Sequence, residues 1–109
     1  MTNIYPRGAL NEDAQKLSNE FFGRELSLIE LRLFPYIDYC LKNCGRYDPL
    51  KMNKQEIRIL HKYKKMYPQH FDFGMGEIWI SKEFYNFIQE VLWVTYVGNK
   101  LEKQPDLNK

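Results

Sequence analysis

Cysteine is scarce in this chain, with Cys40 and Cys44 the two thiols in 109 residues. A disulfide framework would need more cysteines at wider spacing, whereas two that lie four apart share one helix face. Both are read as reduced, half-buried thiols, which fits a cytoplasmic protein. The first residues, Met-Thr-Asn-Ile-Tyr-Pro-Arg-Gly, have no basic-then-apolar run and no cleavage site, so no secretory signal is expected. No stretch of about 18 apolar residues occurs, so no membrane span is expected either. The histidines are also only two, His61 and His70. Cys40 and Cys44 have a spacing that zinc sites use, but His61 and His70 are too far apart for the usual histidine pair, and no metal or cofactor is expected.

Catalytic signatures are missing too. The chain has no Gly-x-Ser-x-Gly elbow, no His-Glu-x-x-His and no phosphate-binding Gly-Lys-Ser/Thr loop. Gly74-Met75-Gly76 is too short for a nucleotide fingerprint and reads as a turn. Glu30 and Asp38 fall on roughly one helix face and could do acid–base work if desolvated. Pairing with Arg32, Lys42 or a neighbouring basic helix explains them better, since charges commonly just pair. The chain is therefore not expected to be an enzyme.

What the sequence does have is segregated charge. Residues 41 to 70 hold eight Lys and Arg against two acids, a net +6, while residues 1 to 40 and 71 to 109 come to −2 each. A basic segment between acidic ones suggests an anionic partner or charge matching inside the fold. Aromatic residues are abundant, with seven Phe, eight Tyr and two Trp, more than a small core readily absorbs, so a contact patch is expected. Lysines outnumber arginines, and Asn, Tyr and Ile are common, a bias that suggests an AT-rich coding source such as a phage or mobile element.

The length fits one domain, here residues 1 to 98, followed by a polar tail, 99 to 109, that is expected to fray. Asn11 is a plausible N-cap for a first helix, with Glu12 and Asp13 in the turn that favours acids. Ala14, Leu17, Phe21 and Phe22 give it one apolar face, and Gly23 ends or bends it. A second helix, from about Arg24 to Asn43, is apolar most of the way around and should be central, with a kink or break at Pro35 and Gly45 as the C′ glycine. Residues 46 to 52 form a loop with room for one helical turn. Asn53 and Glu56 have capping-box spacing, and Met52 and Ile57 staple spacing, at the start of a third helix that stops before Pro68. Residues 71 to 80 change to a period of two, with Gly74 and Gly76 bracketing a tight turn, the pattern of a β-hairpin. Ser81 caps the last helix, whose inward stripe is Phe84, Phe87, Ile88, Val91 and Leu92, and Gly98 closes it. The expected fold is thus α+β and helix-rich, with three to four helices and one short two-stranded hairpin before the last helix.

Two surfaces could carry function. On helix 53–66, Lys54, Arg58, His61, Lys62 and Lys65 fall in one arc, opposite Ile59, Leu60, Tyr63 and Met66. Such a ridge can neutralise phosphates, meet an acidic protein patch or simply face solvent. On the last helix, Tyr85, Trp93 and Tyr96 lie outside the apolar stripe and could anchor a protein partner. A basic helix followed by a hairpin is similar in outline to winged-helix DNA binders. The comparison is architectural only, because a helix-turn-helix needs a short turn and about ten residues separate Asn43 from Asn53. Phe71, Phe73 and Trp79 could stack on bases, but are better read as core. The expectation is a non-catalytic regulator or inhibitor acting through protein contacts, with a homodimer open. The alternative is a nucleic-acid-binding regulator using the basic face.

Overall fold

The computed structural model describes residues 10–97. The N-terminal lead-in to residue 9, Gly98 and the polar tail lie outside them. Among the described residues, four α-helices and a two-stranded antiparallel sheet placed before the last of them make an α+β, helix-rich fold.

Helix α1, Glu12–Phe21, starts where Asn11 accepts a hydrogen bond from the Ala14 N–H at 2.8 Å. The same side chain donates to the Val94 carbonyl at 3.0 Å, so this cap also ties α1 to the end of the chain's last helical run. Helix α2, Leu28–Lys42, begins four residues later than the sequence pattern indicated. Ser27 and Glu30 form a capping box there, and its reciprocal bonds fix the first turn at Leu28 rather than Arg24. The helix runs unbroken through Pro35. Its residues Leu31, Leu33, Phe34, Ile37 and Cys40 are fully buried, and it packs against α3, α4 and the second strand, as a central helix should.

The end of α2 differs from expectation by one position. Asn43 is already non-helical, so Cys44, with φ 63°, takes the first left-handed position and Gly45, with φ 75°, the second. The Gly45 N–H returns to the Cys40 carbonyl at 2.9 Å, the longer bond of a Schellman ending. Gly45 is needed for a further reason. A Cβ there would sit 3.0 Å from the Ile78 carbonyl oxygen, at a place where the Gly45 carbonyl accepts the Ile78 N–H at 2.6 Å. The Tyr47 N–H donates to the Gly76 carbonyl, and Arg46 forms an isolated antiparallel bridge with Glu77, so the segment after α2 is tied to the hairpin without forming a strand of its own. A single 3₁₀ turn, Pro49–Lys51, follows, capped by the Asp48 carboxylate through the Leu50 N–H.

Helix α3 spans Lys54–Met66 and has the expected capping box, Asn53 with Glu56. Strands β1, Phe71–Gly74, and β2, Glu77–Ile80, pair Phe71 with Ile80 and Gly74 with Glu77. Met75 and Gly76 are both left-handed, with φ 53° and 81°, as a type I′ hairpin turn requires. Phe71 and Ile78 face the core, while Trp79 points outward and is 53% exposed, against its reading as a core aromatic. Helix α4, Lys82–Leu92, is capped by Ser81 and buries Phe84, Phe87, Ile88 and Val91. It continues as one π-helical turn, Trp93–Val97, rather than as α-helix.

The core absorbs most of the aromatic surplus. Phe21 stacks on Phe87 at 4.6 Å between centroids, Phe22 packs against Tyr63 and Tyr67, and Phe84 lies edge-on to Tyr63. Among the described residues the exposed rings are Tyr39, Trp79 and Trp93.

Candidate functional site

Helix α3 is held by one face and open on the other. Leu60 and Tyr63 are fully buried beneath it, with Ile57 and Ile59 half-buried at the flanks. Met66, read from the sequence as part of the hidden side, is 52% exposed. It is the last helical residue, and the chain turns away at Tyr67 before anything covers it.

A buried polar clamp fixes the orientation of α3. The Tyr63 hydroxyl donates to Glu30 Oε2 at 2.7 Å. The Arg24 guanidinium grips the same carboxylate with both terminal nitrogens, at 3.0 and 2.8 Å, and its Nε reaches the Tyr67 hydroxyl at 3.3 Å. The Ser27 N–H and hydroxyl complete the shell of Glu30. Burial alone would push the Glu30 carboxyl up, but the bonds from Arg24, Ser27 and Tyr63 together hold it below the ordinary carboxylate range. Burial, followed by the nearby Glu30 charge, pushes the Tyr63 hydroxyl well up, so it stays a proton donor. Glu30 therefore pairs with Arg24 from the preceding loop, and not with Arg32 or Lys42. Asp38 is the partner of Lys42, at 3.0 Å, and also accepts from Gln89. The two carboxylates engage different partners and form no acid–base pair.

On its hairpin side α3 is tied down by Lys64. Its ammonium meets Asp72 at 3.3 Å and the Phe73 carbonyl at 3.1 Å. The Phe73 N–H is taken by its neighbour's carboxylate, at 2.8 Å, so these two charges also block the outer edge of β1 against further strand pairing.

What remains outward is the basic face. Lys54, Arg58, His61, Lys62 and Lys65 are all exposed. His61 stands at its border, edge-on to the Phe73 ring at 4.9 Å. Among the described residues, Lys54, Arg58, Lys62 and Lys65 are in no ion pair. The sole acid of α3, Glu56, is spent on the Asn53 cap. At about 1.5 Å rise per residue, the ridge from Lys54 to Lys65 is roughly 16 Å long. The result is an unneutralised row of cations on a rigidly oriented rod.

The aromatic trio is unevenly exposed. Trp93 is 51% exposed and borders a depression lined by Leu17, Gln89, Glu90 and Val94. Tyr85 and Tyr96 are half-buried, and Tyr96 packs against the core. A second depression, on the outer face of the hairpin, brings Cys44 near Lys64, Asp72, Glu77 and Trp79. A nucleophilic thiol needs a base or an uncommitted cation to activate it. Neither histidine lines this depression, His70 is bonded to Ser81 at 2.7 Å, and Lys64 is committed to Asp72. Cys40 is buried, and burial pushes its thiol up, so it is separated from Cys44 by its environment despite their spacing. Among the described residues, no three His, Cys, Asp or Glu side chains are grouped to hold a metal ion. No helix among them is long and apolar enough to cross a membrane.

No protein-family model matches the chain, and no similar protein is found among curated proteins or solved structures.

Proposed function

We propose that this protein is a non-catalytic nucleic-acid-binding regulator that grips phosphates with the basic face of α3. The observation that carries this reading is the row Lys54, Arg58, Lys62 and Lys65, exposed together and unneutralised among the described residues. A row of cations that makes no ion pair among the described residues can release the counterions condensed on a nucleic acid. The surrounding elements support it. A helix, a segment bridged once to the hairpin, one 3₁₀ turn, the basic helix and the hairpin follow in an order similar in outline to a winged helix. The ten-residue linker that argued against this outline in the sequence holds one 3₁₀ turn, Pro49–Lys51, and is bonded to the hairpin at Arg46 and Tyr47.

A second reading, a regulator or inhibitor that binds a protein partner, is favoured by one observation: Trp93 stands half-exposed at the rim of an apolar depression. A buried Trp anchor in a partner's pocket is a common hot spot. Retention on immobilised mixed DNA and RNA at low salt separates the two. The nucleic-acid reading expects the parent and Trp93→Ala to be retained and Arg58→Glu with Lys62→Glu to be lost. A parent that is not retained ends that reading. Protein capture abolished by Trp93→Ala but indifferent to the charge reversals would establish the second in its place.

A further inference from the structure

The cationic face of α3 is not uniform, and its one arginine sits at a particular place. Leu60 and Tyr63 mark the buried direction of the helix. At about 100° per residue, Arg58 and Lys65 fall within roughly 10° of the direction opposite to them, while Lys54, Lys62 and His61 lie about 30–50° to either side. Arg58 thus projects from the crest near the middle of the helix, with lysines around it. It is exposed and makes no hydrogen bond or ion pair among the described residues, so its fork of donors is uncommitted.

The difference between the residue types matters. A lysine ammonium is a point charge suited to a phosphate oxygen, whereas the planar guanidinium offers two parallel donors. Guanine presents two acceptors, O6 and N7, to the major groove of B-form DNA, and arginine matches them bidentately. An α-helix with its side chains is about 10–12 Å across and that groove is about 12 Å wide. Duplex RNA has a major groove too narrow for such an approach.

Resting on the nucleic-acid reading above, we propose that α3 lies in the major groove of duplex DNA, where Arg58 reads a guanine. Lys54, Lys62 and Lys65 hold the flanking phosphates. The clamp of Arg24, Glu30 and Tyr63 keeps the crest of the helix turned outward.

The test is selection from a random-sequence duplex DNA pool by the full chain and by Arg58→Ala, which removes every donor that could reach guanine O6 and N7. The parent should enrich a motif with a fixed G·C pair. In Arg58→Ala, discrimination at that pair should fall by roughly 5- to 150-fold. Binding by the parent without any enriched motif would overturn the inference and leave the phosphate-gripping reading standing. So would a motif that survives Arg58→Ala intact, or a preference for single strands or RNA. Failure of the parent to bind any nucleic acid would remove both. Far-UV circular dichroism of the variant shows whether it folds, and an exposed, unbonded arginine should be replaceable without loss of structure.

Discussion

Replacing Glu30 by Gln should loosen α3 from the rest of the fold. The Glu30 carboxylate accepts from both terminal nitrogens of Arg24, from the Ser27 N–H and hydroxyl, and from the Tyr63 hydroxyl. The side chain is only 5% exposed, that of Arg24 28%. A glutamine keeps one oxygen acceptor, turns the other position into a donor that faces donors, and leaves the guanidinium without a counter-charge. Breaking a buried ion pair by removing one partner costs about 3–5 kcal/mol. Because Arg24 can partly rehydrate, the cost should sit near the lower end, about 3 kcal/mol, or a drop in melting temperature of roughly 12–24 °C for a domain of this size. Tyr63→Phe removes one charge-assisted bond from a carboxylate that keeps its other partners, so about 1.5 kcal/mol is expected. Urea unfolding followed by far-UV circular dichroism measures both. The double variant should cost less than the sum of the singles by at least about 0.5 kcal/mol, since the two share one bond. A Glu30→Gln chain within about 0.5 kcal/mol of the parent would refute the clamp as the device that sets the orientation of α3.

The same group sets an acid limit. The folded-state pKa of Glu30 lies below its unfolded value, so its contribution is present above about pH 4.5 and is lost as pH falls through the folded value. Urea midpoints should therefore fall below that pH in the parent, with a shallower fall in Glu30→Gln. Leu60→Ala, beneath the basic face and fully buried, should cost about 2–5 kcal/mol in the same assay. Gly45→Ala should cost at least about 1–2 kcal/mol, because it adds a Cβ in a left-handed conformation against the Ile78 carbonyl. With a thiol reagent under native conditions, exposed Cys44 should react at once and buried Cys40 only on unfolding; equal rates would contradict the burial difference.

Much of the fold was legible because its signals are local. The Asn53–Glu56 box, the Ser81 cap and the alternation of Phe71, Phe73, Ile78 and Ile80 each lie within a few residues and need no partner from elsewhere. The start of α2 carried an equally local signal, Ser27 with Glu30, which was obscured by the apolar run around it. What could not be read is long-range. Nothing near Glu30 says that its hydrogen-bond donors will be Arg24, before the helix, and Tyr63, 33 residues on. The bonding of residues 45–47 to the hairpin depends on Gly45 and Ile78 meeting across the fold. Trp79 was misplaced because the aromatic character of the hairpin outweighed its strict alternation, which puts it on the outer face. The basic arc was visible from helical period alone, but its lack of neutralising acids depended on where Asp72 and Glu56 would be used.

The measurement that bears most directly on the basic face of α3 is the salt dependence of binding to a duplex of random sequence, followed by anisotropy of a labelled DNA. On a random-sequence duplex, where Arg58 has no fixed guanine to read and falls on phosphate beside Lys54, Lys62 and Lys65, log Kd against log salt should have a slope magnitude of about 3.6, and Lys62→Ala should lower it by about 0.9. Absence of binding at low salt, or a slope that ignores the loss of these charges, would contradict the account.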